Sequence, residues 1–95
     1  MRQYETMYII NPDVETEQLA ELVAKYQSLV TEHGGEIDQL QEMGKRRLAY
    51  EIDKIREGFY VLMQFSTDTD ITHELERQMR IDDKVVRYLT VRVGE

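Results

Sequence analysis

Ninety-five residues, 41% of them apolar and only one a proline, make one globular domain, residues 1–95, and exclude two independent cores. The absence of cysteine removes disulfides, thiolate metal sites and thiol nucleophiles. The formal charge of −7 argues against a simple nucleic-acid binder, and neither a signal peptide nor a membrane-length apolar run is present, so a soluble protein of the reducing cytoplasm is expected.

Residues 2–10, RQYETMYII, are aromatic and β-branched and run into the turn signal Asn11-Pro12-Asp13, which predicts a strand. From Glu15 to His33, Leu19, Leu22, Val23, Tyr26, Leu29 and Val30 recur at three- and four-residue steps before Gly34-Gly35. That spacing predicts an amphipathic helix, with Asp13 or Thr16 as its cap and no capping box. Residues 36–54 read as a long irregular strand: Ile37 and Leu40 anchor its first part, Leu48, Tyr50 and Ile52 alternate in its second, and Gly44 marks a bulge between them. Residues 55–58 supply a hairpin turn, and Phe59 to Phe65 form the next strand. Ile71, Leu75 and Met79 then place a second helix over Asp70–Arg80, capped by Thr69 or Asp70. After an Asp82-Asp83 turn, Val85–Val93 is the last strand.

The order strand, helix, strand, strand, helix, strand is that of the ferredoxin-like split β-α-β arrangement, an α+β fold. It implies a four-stranded antiparallel sheet with both helices on one face. A sheet covered on one side should be apolar at alternate positions only. Here Met7 and Ile9 are apolar on the parity opposite Tyr8 and Ile10, Tyr60 and Leu62 on the parity opposite Val61 and Met63, and Val86 and Tyr88 on the parity opposite Leu89 and Val91. Either bulges shift these residues into one core, or a second polypeptide, another copy included, covers the open face.

Charge is divided unevenly along the chain. Residues 1–43 hold two bases, Arg2 and Lys25, against nine acids, whereas residues 44–95 are balanced and contain the consecutive cations Lys45, Arg46 and Arg47. Three adjacent cations on a strand project to both faces and repel one another unless anions lie close. They fit phosphate contact, with Tyr50 adding a flat ring, or protection of an exposed sheet edge. Catalysis has little support: His33 and His73 fall on different helices and read as solvent-facing, Asp82-Asp83 reads as a turn, and no nucleotide loop, metal spacing or nucleophile motif occurs. No cofactor, metal or small-molecule substrate is expected.

Arg2-x-Tyr4-Glu5, Asn11-Pro12-Asp13, Gly34-Gly35, Gly44-Lys45-Arg46-Arg47-Leu48-Ala49-Tyr50, Glu57-Gly58-Phe59-Tyr60-Val61 and Arg87-Tyr88-Leu89-Thr90-Val91 together resemble the family of bacterial ribosomal protein six of the small subunit, over the whole length and in order. Glu51 stands where many members carry proline. The resemblance implies a non-enzymatic, cytoplasmic component of the small ribosomal subunit. It would bind the central domain of small-subunit ribosomal RNA together with ribosomal protein eighteen of that subunit. On this basis Arg46 and Arg47 are the first expected RNA contacts, with Arg2, Lys45, Arg80, Arg87 and Arg92 added from charge and placement. Leu48, Ala49 and Tyr50 are expected at the protein interface, with Met7, Ile9, Leu89 and Val91 from the apolar open face. Two other readings share the topology: an RNA-recognition motif stacking bases on its central strands, and a dimerising module holding a small ligand at Gly34-Gly35.

Overall fold

The computed structural model describes residues 1–94; Glu95, the last residue of the expected domain, lies outside them. Strand β1 (Arg2–Ile10), helix α1 (Thr16–Glu32), strands β2 (Glu36–Ile52) and β3 (Ile55–Thr67), helix α2 (Thr72–Ile81) and strand β4 (Val85–Val93) follow one another in the expected order. All pairings are antiparallel, and the spatial order is β2-β3-β1-β4, so the two central strands are β3 and β1.

One side of the sheet carries both helices. Tyr8 and Ile10 of β1 and Val61, Met63 and Phe65 of β3 meet Leu22, Val23, Tyr26 and Val30 of α1 and Leu75 and Met79 of α2. Tyr8 and Tyr26 pack edge to face at 5.3 Å, and Tyr4 stacks on Phe65 at 5.6 Å. Burial is the leading cause that lifts the phenol pKa of both Tyr8 and Tyr26 well above the usual value. The Tyr26 hydroxyl donates to Asp82 Oδ2 at 3.5 Å, whereas the Tyr8 hydroxyl is buried with no partner among the described residues.

Helix starts depart from the sequence expectation. The cap of α1 is Glu15 rather than Asp13 or Thr16, and the Glu15 N–H donates back to Gln18 Oε1 at 3.4 Å, the reciprocal arrangement of a capping box. Asp13 is instead held in an Asx turn, its N–H donating to Asn11 Oδ1 at 2.8 Å. In α2 the cap is Ile71, without a side-chain bond. The two expected caps are engaged elsewhere: the Thr69 hydroxyl donates to the His33 carbonyl at 3.3 Å, and Asp70 Oδ1 accepts from the Thr72 hydroxyl at 3.2 Å.

The β2-β3 hairpin also differs. Its turn is Asp53-Lys54, both at positive φ (48° and 70°) and closed by the pair Ile52–Ile55, while residues 55–58 belong to β3. Gly58 is therefore not a turn glycine. A Cβ there would sit 2.5 Å from Ile9 Cγ2 and 2.9 Å from the Ile10 carbonyl oxygen, so its missing side chain lets β1 and β3 close up. Gly44 behaves as expected: the β2-β3 register shifts between Glu42 and Gly44, and Gly44 has φ +79°.

Candidate functional site

The bulges do not draw the second apolar parity into the core. On β1 and β4 the positions alternate with the helix-packed ones: Met7 pairs with Leu89 and Glu5 with Val91, both on the face without helices. Met7 is 38% exposed, Leu89 58% and Val91 44%, and Val93 continues the stripe. Leu62 opposes Met7 from β3. At the far end Glu5 Oε2 accepts from the Gln64 amide at 2.7 Å, giving the stripe a polar border.

At the other end the hairpin outruns the sheet. β1 pairs with β3 only from Phe59 onward, so residues 46–58 form a two-stranded ribbon with no strand beside it. The Tyr50 hydroxyl nevertheless accepts a hydrogen bond from Arg87 Nη1, and the Arg87 guanidinium lies 5.6 Å from the centre of the Tyr50 ring. β2 and β4 are opposite edges of the sheet, so this contact requires the ribbon to curl across the open face, over β3 and β1. Beneath it is a partly open cavity of about 220 Å³ lined by Met7, Ile9, Leu48, Tyr60 and Leu89, with Tyr50 and Arg87 also on its wall.

This curl separates the expected partner residues into two sets. Ile9 and Leu48 are 7% and 8% exposed, covered within the chain itself. Met7, Ala49, Tyr50, Leu89 and Val91 remain exposed. Tyr60, Leu62 and Val93, also on the open face, complete the surface; the parity argument identifies all three, but only where strand boundaries are already known.

The expected cations fall into separate places. Lys45, Arg46 and Arg47 lie where β2 becomes the ribbon, all exposed. Arg46 opposes Gly58 and Arg47 opposes Glu57, so adjacent side chains leave opposite faces of the ribbon. Arg46 Nε donates to the Met43 carbonyl at 3.2 Å, and Lys45 Nζ sits 5.3 Å from the Phe59 ring centre. Arg87 joins this end through Tyr50. Arg2, opposite Thr67, and Arg92, opposite Tyr4, lie toward the other end of the sheet, and Arg80 is on the last turn of α2. Arg2 stands eight residues along β1 from Ile10, roughly 25 Å from the ribbon end at strand rise. The structure thus gathers four of the seven expected cations and disperses three. It adds Arg56, whose Nε donates to Glu51 Oε1 at 3.3 Å; assigning residues 55–58 to a turn hid that it belongs to the ribbon.

The two histidines and Asp82 make local structural contacts. His33 Nδ1 lies 2.8 Å from the Leu29 carbonyl and His73 Nε2 3.7 Å from Asp70, each a local contact at a helix end. Asp82 is used structurally: Oδ1 accepts the Lys84 N–H at 2.9 Å, and Oδ2 takes Tyr26 and, at 3.9 Å, Lys25. Among the described residues no cluster of three His, Cys, Asp or Glu side chains could hold a metal ion, and no helix is long and apolar enough to cross a membrane. What the surface can do is dock. The acidic α1 lies on the opposite layer of a molecule 38 × 28 × 22 Å in extent, and screening over about 8 Å in physiological salt mutes it at the ribbon.

Comparison with known proteins gives a consistent picture. Residues 3–92 match the family described as Ribosomal protein S6. The chain is 53% identical over 95 residues to the small ribosomal subunit protein bS6 of Desulforamulus reducens and 50% identical over 95 residues to that of Thermoanaerobacter pseudethanolicus, covering 100% of each. Its backbone superposes on the crystal structure of 30S ribosomal protein S6 from Thermotoga maritima with a TM-score of 0.91 at 38% identity, covering 96% of this chain and 86% of the other.

Proposed function

The chain belongs to the ribosomal protein S6 family, whose members are structural proteins of the small ribosomal subunit in the cytoplasm and not enzymes, and from that premise we propose that it binds the central domain of small-subunit ribosomal RNA jointly with ribosomal protein eighteen of that subunit. The observation that carries this reading is the continuity of two surfaces. An apolar stripe of Met7, Leu89, Val91 and Val93 runs into a cationic end formed by Lys45, Arg46, Arg47 and Arg87. Soluble monomers rarely leave such a stripe uncovered, and covering it with protein costs little desolvation. The cations beside it offer forked donors to phosphate oxygens.

Division of labour follows from this surface. The stripe meets the protein partner, while Arg46 and Arg47, leaving opposite faces of the ribbon, reach RNA on one side and the protein–RNA junction on the other. Binding to RNA alone is weak, because the net charge of −7 lowers encounter with a polyanion. A basic partner restores the balance. Base stacking in the manner of an RNA-recognition motif is disfavoured: the open face of the central strands offers one ring, Tyr60. Gly34 and Gly35 follow the end of α1, where glycine is an ordinary stop, which leaves the ligand-binding alternative without a site.

The test is sedimentation of cell extracts through a salt series. The protein is expected to travel with small subunits and to leave them in high salt together with a small basic protein. A free monomer at every salt concentration would contradict the reading.

A further inference from the structure

The cavity under the ribbon is unlike the rest of the open face. Its lining is mostly apolar, from Met7 and Ile9 on β1, Tyr60 on β3, Leu89 on β4 and Leu48 on the ribbon, and at about 220 Å³ it is smaller than the usual site for a drug-sized molecule. It has room for a single bulky side chain. Arg87 stands on its wall, and among the described residues no carboxylate comes within 4.0 Å of that guanidinium; it donates instead to the Tyr50 hydroxyl. Arg87 and Tyr50 are both exposed now. Once a protein lies over this face, the guanidinium loses water, and a cation desolvated without an anion is costly.

We propose that this cavity is an anchor pocket for one bulky apolar side chain of the partner protein, and that a carboxylate on the same partner segment takes Arg87 away from Tyr50. The inference rests on the reading that a protein covers the open face, and it specifies what that protein must present. Met7, Ile9, Leu48, Ile52 and Leu89, with the rings of Tyr50, Tyr60 and Tyr88 beside them, make a mostly apolar lining that suits an apolar side chain. Charge complementarity supplies the second half: the single cation at the pocket asks for an anion, and Arg offers a carboxylate two parallel donors where Tyr50 uses one. The bond to Tyr50 keeps the ribbon folded over the pocket until that exchange.

Calorimetric titration of ribosomal protein eighteen into the full chain tests this with four variants, each first checked by circular dichroism. Val91→Asp lies on the open face outside the pocket and reports whether the face is used at all. Met7→Phe fills the pocket from its edge, Arg87→Met keeps the aliphatic stem but removes the charge, and Tyr50→Phe frees Arg87. Val91→Asp, Met7→Phe and Arg87→Met should each weaken binding at least tenfold, with Arg87→Met also flattening its salt dependence, while Tyr50→Phe should bind as tightly as wild type or up to threefold tighter. If Val91→Asp binds like wild type, the covered-face reading itself fails. If Val91→Asp loses binding while Met7→Phe and Arg87→Met stay within twofold, the face is used but the anchor pocket is not. If Arg87→Met spares protein binding and weakens only RNA binding, the pocket cation is an RNA contact and the proposed carboxylate is wrong. A tenfold loss in Tyr50→Phe would overturn the exchange.

Discussion

The two faces of the sheet are built from the same strands, yet one is finished by the chain and the other is not. On the helix side, Tyr8, Ile10, Val61, Met63 and Phe65 are almost wholly buried by α1 and α2. On the open side, Met7, Leu89, Val91 and Val93 are nearly as apolar and remain in water apart from what the ribbon shelters. Hydrophobicity alone therefore does not tell core from interface in this protein. The difference lies in whether a local element arrives to cover the residue: two helices of 17 and 10 residues reach one face, and a two-stranded ribbon reaches one end of the other.

Substitutions that treat the faces as equivalent should separate them most. Phe65→Ala, on the closed face, is expected to cost about 3–5 kcal/mol in chemical denaturation of the isolated chain, whereas Leu89→Ala should change it by about 0.5 kcal/mol or less. Equal losses would place Leu89 in the core. Next in size is the cationic ribbon: Arg46→Ala combined with Arg47→Ala should weaken joint assembly on ribosomal RNA by roughly 1–3 kcal/mol per lost charged contact and leave the melting temperature unchanged. Wild-type assembly of this double variant throughout a salt titration would remove both arginines from the interface.

Two smaller effects test the closed side. The Tyr8 hydroxyl is buried without a partner, so Tyr8→Phe should stabilise the fold by about 1 kcal/mol; a comparable loss would mean that the hydroxyl is hydrogen-bonded, through a trapped water for instance. The last concerns α2, where hydrogen bonds from Arg77, at 2.9 and 2.8 Å, and from Gln78, at 2.9 Å, hold the exposed Glu74 carboxyl down to about 2 from 4.5. A carboxylate whose pKa is lowered by folding contributes stability above its unfolded value and loses that contribution as the pH falls toward 2. Glu74→Gln should therefore lower stability slightly at neutral pH, leave it unchanged near pH 2, and so flatten the limb between about pH 4.5 and 2, as read from melts from neutral pH down through that range.

Element order, the helix-facing core and the bulge at Gly44 were legible because each rests on periodicity or on glycine's conformational freedom. Val85–Val93 has the same ends in sequence and structure. Caps and the hairpin turn were not legible, for a physical reason: Asp53 and Lys54 adopt left-handed conformations that propensity assigns to glycine, and Gly58 draws attention to itself for a packing reason. The open face was visible as a second apolar parity in β1, β3 and β4. The burial of Ile9 and Leu48 was not, because it depends on a ribbon curling over two strands to bring Tyr50 to Arg87, a contact between residues 37 apart with no local signature.

The most direct measurement uses the full chain carrying Leu89→Asp, melted alone and then offered ribosomal protein eighteen with the central-domain RNA. An unfinished face predicts a fold destabilised by no more than about 1 kcal/mol and joint assembly lost. Global unfolding of the variant, or assembly at wild-type affinity, would contradict it.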